Sequence, residues 1–213
     1  MSLGHGSSIV RDGLVLHLDA ANVKSYPGTG STWNDISGNG ADCTMVGSPV
    51  HTQNGGQSYW QLGSGQGFES IPISQTYKDL MILMKLETNT SILAMAFGVY
   101  NDVDVSLRFL SGQLRLVSVS NTNDWQFGST ESELFVNGNF NAGATDVYNR
   151  WTMIRAYKES TSPFRYEVSS QFAPGGISRP YIGKIASIMS YNRKLTDAEV
   201  QQNFEATRGR YGI

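Results

Sequence analysis

The chain has 213 residues, of which 39% are hydrophobic and 11% aromatic, enough apolar mass for one sizeable core and too much for a disordered segment. Sixteen basic and eighteen acidic residues give a formal net charge of -2 with no Lys/Arg cluster, which argues against a nucleic-acid binder held by phosphate contacts. The lone Cys43 allows no internal disulfide, and no apolar run has the length of a signal-peptide core or a bilayer span.

After a short lead over residues 1–10, GLVLHLDA predicts a strand with Leu14, Leu16 and Leu18 on one face, buried mostly there and partly on the other. A long polar tract, KSYPGTGSTWNDISGNGAD, follows, and Tyr59, Trp60 and Leu62 mark a further strand. Val103, Val105, Leu107 and Phe109 line one strand face; Ser111-Gly112 turns the chain, and Leu114 and Leu116 begin the return. Leu134-Phe135-Val136 runs into Asn137-Gly138, the strongest short hairpin signal, and Asn139-Phe140 leads out. Trp151, Met153, Arg155 and Tyr157 share a face against Thr152, Ile154 and Ala156, while Phe164, Tyr166 and Val168 alternate with Arg165 and Glu167. A last strand, Ile182 to Tyr191, feeds a helix. Thr196 is its N-cap, Glu199 completes a capping box, and Leu195 and Val200 form a staple. Val200 and Phe204 fall on one helical face, and Arg208 followed by Gly209 predicts a cation at the last carbonyls and a left-handed stop. So short a helix has to dock on something larger.

Short alternating strands with almost no helix until the end predict an all-β fold: a two-sheet antiparallel jelly-roll sandwich with one short C-terminal helix, as a single domain over 1–213. In order along the chain, DGLVLHLDAAN, KSYPGTGSTWNDISGNG and YNRKLTDAEVQQNFEATRGRYGI resemble the laminin-G-like, concanavalin-A-like domains of structural proteins of tailed bacteriophages, cyanophages especially. The middle departs, with LMILMKLET where such domains carry an aromatic-rich strand. The resemblance implies a jelly roll whose family includes glycan-binding lectins, cell-surface interaction modules, glycan-cleaving enzymes and phage fibre or capsid-surface proteins. Fold alone does not choose among these.

Retaining sugar hydrolysis needs two carboxyl groups about 5 Å apart, which on one strand means acids two or four residues apart. Glu131 and Glu133 have that spacing, as do Asp102 and Asp104, but the Glu-x-Asp-x-x-Glu cluster of laminarinase-like relatives is missing, and His5, His17 and His51 lie in no motif. The expectation is a protein that is not an enzyme. One Cys and three scattered His disfavour zinc; NDVD at 101–104 and NTND at 121–124 offer oxygens for calcium, although Asx residues crowd turns for conformational reasons too. Among the tryptophans, Trp151 and Trp60 fit strands and Trp33 fits a plug at the sandwich edge. Trp125, in the polar stretch NTNDWQFGST, is the glycan-binding candidate: its indole would stack on a pyranose while Asn121, Asn123 and Asp124 bond hydroxyls. The expectation is therefore a non-catalytic virion-surface module (fibre, tail or capsid surface) whose partner is host-surface glycan. The alternatives are a structural or assembly domain that meets other virion proteins, and a glycan-cleaving enzyme of the same fold. Phage fibres are commonly trimeric, but no heptads or fibrous repeats enforce this, so a homo-oligomer is allowed by the sequence and not required.

Overall fold

The computed structural model describes residues 8–70, 78–87, 94–99, 102–110, 113–115, 135–140, 147–157, 166–168, 171–173, 176–178 and 181–213; the strands between 94 and 115 and between 166 and 178 are described by their backbone, with Val168 the exception. In chain order the strands are β1 (Leu14–Asp19), β2 (Thr32–Trp33), β3 (Cys43–Val46), β4 (Val50–Asn54), β5 (Gln57–Leu62), β6 (Gly67–Ser70), β7 (Asp79–Leu86), β8 (Ala94–Val99) and β9 (Asp102–Leu110). They continue as β10 (Gln113–Arg115), β11 (Phe135–Val136), β12 (Asn139–Phe140), β13 (Trp151–Tyr157), β14 (Tyr166–Val168), β15 (Gln171–Ala173), β16 (Gly176–Ser178) and β17 (Gly183–Tyr191), before helix α1 (Asp197–Thr207). Among the described residues, eight strands form one sheet in the order β12-β11-β13-β7-β17-β5-β4, with β1 beside β17; seven form a second in the order β10-β9-β8-β14-β6-β3-β2, and β15 and β16 make a separate ribbon. The ladders are antiparallel, as the sequence predicts.

Two cores follow from the period-2 alternation of β7. Leu80, Ile82, Met84 and Leu86 enter the space between the sheets, where they join Leu16, Leu18, Trp33, Trp60, Phe68 and Val168. Met81 and Leu83 point the other way and join Met153, Met189, Tyr191, Val200 and Phe204 beneath the helix. LMILM reads as a continuous apolar run because both faces of β7 are covered. The same holds for β1, all six of whose residues are buried; the second face is covered more fully than the sequence suggests.

The two predicted hairpins form. β9 pairs with β10, and β11 pairs with β12 across Asn137 (φ 48) and Gly138 (φ 88), the two positive φ values that a type I′ turn requires. The turn is seated on its neighbours: Asn137 Oδ1 accepts from Met153 N at 2.7 Å, and its Nδ2 donates to Trp151 O at 3.2 Å. The helix starts as expected, with Glu199 N donating to Thr196 Oγ1 at 3.3 Å and Thr196 N donating to Glu199 Oε2 at 2.9 Å. Its end differs. Arg208 is right-handed (φ -57), a single 3-10 turn runs over Arg208–Arg210, and the left-handed residue is Gly212 (φ 70), not Gly209. Tyr211 explains the difference: its ring lies 4.6 Å from that of Trp151 and its hydroxyl donates to Ser58 O at 2.6 Å, so the chain winds past Gly209 to bury it.

Candidate functional site

The glycan candidates Trp125, Asn121, Asn123 and Asp124 lie outside the described residues, as do Glu131, Glu133 and NTND; Asp102 and Asp104 lie on β9, whose backbone alone is described. The remaining tryptophans are structural, as the sequence suggests. Trp33 reaches from the edge strand β2 into the core with no exposed surface, Trp60 is 1% exposed, and Trp151 packs between Tyr59 and Tyr211. No group of three or more metal-ligating side chains occurs among the described residues.

The structure does assemble a cleft that the sequence does not announce. At the β4 edge of the eight-stranded sheet, His51 and Gln53 are alternate residues of one strand, and the chain leaving β1 passes beside them. Val23, Tyr26, Pro27, Gly28, His51 and Gln53 line a cleft of about 460 Å³. Local hydrogen bonds set the Tyr26 wall. Asn22 O accepts from Ser25 N at 2.8 Å and from Tyr26 N at 2.9 Å, and Ser25 Oγ donates to Asn34 O at 2.7 Å while accepting from Asp19 N at 3.1 Å. Further on, the Asp35 carboxylate gathers His17 N, Ser37 N, Ser37 Oγ and Ala41 N at 2.7 to 3.1 Å. The polar tract is thus held by its own side chains.

His51 Nε2 lies 2.9 Å from Ala20 O, so Nε2 carries a proton and donates to that carbonyl. The His51 ring meets Tyr26 edge-on at 4.9 Å and lies 5.0 Å from Trp60, which is itself 4.6 Å from Tyr26 and 5.0 Å from Phe68. A chain of rings therefore runs from the cleft into the core. The indole N–H of Trp60, beneath both lining rings, finds no acceptor among the described residues. Tyr26 Oη donates to Gly30 O at 3.3 Å. Gly28 has φ 95, and a Cβ there would meet no heavy atom within 4 Å, so this wall is open. Val23, 72% exposed, forms the rim.

Other charged groups serve the frame. Arg210 Nη1 reaches both Asp19 oxygens at 3.2 Å and so ties the C-terminal turn to β1. Burial pushes the His17 imidazole below its usual range, against the opposing pull of Asp19 and Asp35. On the seven-stranded sheet, Glu69 of β6 and Glu167 of β14 are direct register partners. Cross-strand pairing of this kind joins residues far apart in the chain, and no search by sequence spacing finds it.

No family model and no curated protein matches the sequence. Solved structures do match. A mutant of Trypanosoma rangeli sialidase displaying trans-sialidase activity aligns over 98% of this chain and 35% of its own, at 16% identity and a TM-score of 0.60. The T. rangeli sialidase complex with 2,3-difluorosialic acid, a covalent intermediate, aligns over 99% and 35% at 15% identity with a TM-score of 0.61. The receptor-binding domain of botulinum neurotoxin C/D mosaic serotype aligns over 93% and 52% at 12% identity with a TM-score of 0.58. The chain thus spans about a third of the length of the sialidases, and at these identities the likeness is one of fold, a β-sandwich. The expectation of a protein that is not an enzyme is corrected by these neighbours, since the matching fold is carried by sialidases, one of them captured as a covalent intermediate. The criterion behind that expectation was too narrow: sialidases use a tyrosine nucleophile, so a missing strand-borne pair of carboxylates says nothing against them.

Proposed function

We propose that this β-sandwich is a carbohydrate-recognition module displayed on a virion surface. The observation that carries recognition is the match of nearly the whole chain to the fold of proteins described as sialidases, one in complex with sialic acid, and to a neurotoxin receptor-binding domain. The virion location rests on the motifs at the two ends of the chain, which resemble those of tailed-phage structural proteins. Recognition of this kind is compatible with catalysis by the same protein. Trp125, with Asn121, Asn123 and Asp124, is the sequence's candidate contact, because an indole among polar residues can stack on a sugar while its neighbours bond hydroxyls. A glycan array probed with the purified chain, with and without calcium, tests the reading. Trp125→Ala is expected to weaken the array signal by about 1–2 kcal/mol with an unchanged melting temperature. An empty array for the unaltered chain would refute carbohydrate recognition. For the location, antibody against the chain should label purified particles of the phage that encodes it; unlabelled particles count against the virion assignment.

A further inference from the structure

We infer that the cleft between β4 and the chain leaving β1 is a binding site for an uncharged, pyranose-containing glycan, an assignment that rests on the carbohydrate reading above. Three observations carry it. The first is the lining: none of its six described residues is acidic, lysine or arginine, so a ligand carboxylate gains no lysine or arginine ion pair from them. A sialylated sugar would have to strip water from its carboxylate with no guanidinium or ammonium among these residues to offset it, whereas a neutral sugar has no such cost. The second is the mixture of surfaces. Val23, Pro27 and the edges of Tyr26 and His51 offer apolar contact for the C–H face of a sugar ring, while the Gln53 amide supplies a donor and an acceptor for its hydroxyls and the second ring nitrogen of His51 a further polar partner. The third is rigidity. His51 is fixed by Ala20 O and by Trp60, and Tyr26 by the Asn22 turn, by Gly30 O and by Trp60, so the site is formed before any ligand arrives. The cleft volume of about 460 Å³ lies within the range of small-molecule sites.

The test is titration of the purified chain with lactose, maltose, cellobiose and sialyllactose, followed by the nuclear magnetic resonance shift of the His51 ring protons. A neutral disaccharide should move the His51 signals, and sialyllactose should bind no better than lactose. Gln53→Ala and Val23→Asp change exposed residues, so both should keep the wild-type melting temperature, and each should weaken neutral-sugar binding about tenfold. Neutral sugar that binds with His51 unmoved, and is lost with Trp125→Ala but kept with Gln53→Ala and Val23→Asp, overturns the cleft and leaves carbohydrate recognition standing. Binding of the sialylated sugar alone overturns the uncharged class. If neither these sugars nor any glycan on the array binds the unaltered chain, the cleft assignment and the carbohydrate reading fall together.

Discussion

Arg155 and Asp79 form an ion pair 2% and 0% exposed, under the helix. Arg155 Nε reaches Asp79 Oδ1 at 2.9 Å and Nη2 reaches Oδ2 at 2.6 Å, and Oδ2 also accepts from Leu195 N at 2.9 Å. Burial pushes the Asp79 carboxyl above its usual range, and the Arg155 guanidinium pulls against it. The pair therefore pins the residue just before the helix cap to two neighbouring strands. Removing one partner leaves a buried charge, so Arg155→Met should cost about 3–5 kcal/mol in urea unfolding. A wild-type melt for that variant would show that the pair does not hold the helix. A second residue-scale effect depends on pH. The Arg193 hydrogen bond lowers the Glu199 carboxyl from 4.5 to about 2, with Thr196 N–H adding to it. A carboxyl depressed on folding stabilises the native state above its unfolded pKa, and that contribution is lost as pH falls from about 4.5 through about 2. Thermal melts of the wild type and Glu199→Gln should accordingly converge across that window, and a gap that stays constant from pH 6 to pH 2 contradicts the linkage. The sequence showed Glu199 as a capping residue because its partner is three positions away. It showed Arg155 only as a member of a strand face, because Asp79 reaches it through tertiary pairing alone.

Helix α1 holds to the outer sheet face through Val200, Phe204 and the polar Asn203, all buried. The Phe204 ring meets that of Phe135 edge-on at 5.4 Å, and a Cβ on Gly138 would stand 3.0 Å from Phe204 Cε1, so ring and hairpin turn are fitted to each other. Phe204→Ala empties that contact and should cost about 3–5 kcal/mol. A chemical-denaturation midpoint within error of wild type would mean that the helix is a loose tail. The start of this element was legible because a capping box is local. Its end was not, because Tyr211 is drawn past Gly209 by Trp151 and Ser58, which no neighbouring residue announces. Asn203 was missed for a related reason. An amide on an apolar helix face reads as a defect until Val10 N, bonded to Oδ1 at 2.8 Å, and Tyr191 Oη, bonded to Nδ2 at 2.9 Å, are seen around it.

At the scale of the whole molecule, the two-sheet architecture was readable because strand alternation is a property of each segment by itself, and the Asn137-Gly138 turn joins neighbours. The cleft was not. Tyr26 belongs to a long polar tract whose pattern predicts no strand or helix, and His51 gains its setting from Ala20 and Trp60 only once β4 has paired with β5. The pairing of β1 with β17 carries one further consequence. Among the described residues β1 pairs with β17 alone, and the two strands stand at opposite ends of the element order, so their ladder joins segments far apart in sequence. Non-local closure of this kind is slow, so the β1–β17 ladder is expected to form late in folding. Until that ladder forms, β1 is an apolar, unpaired strand of the kind that invites association between chains.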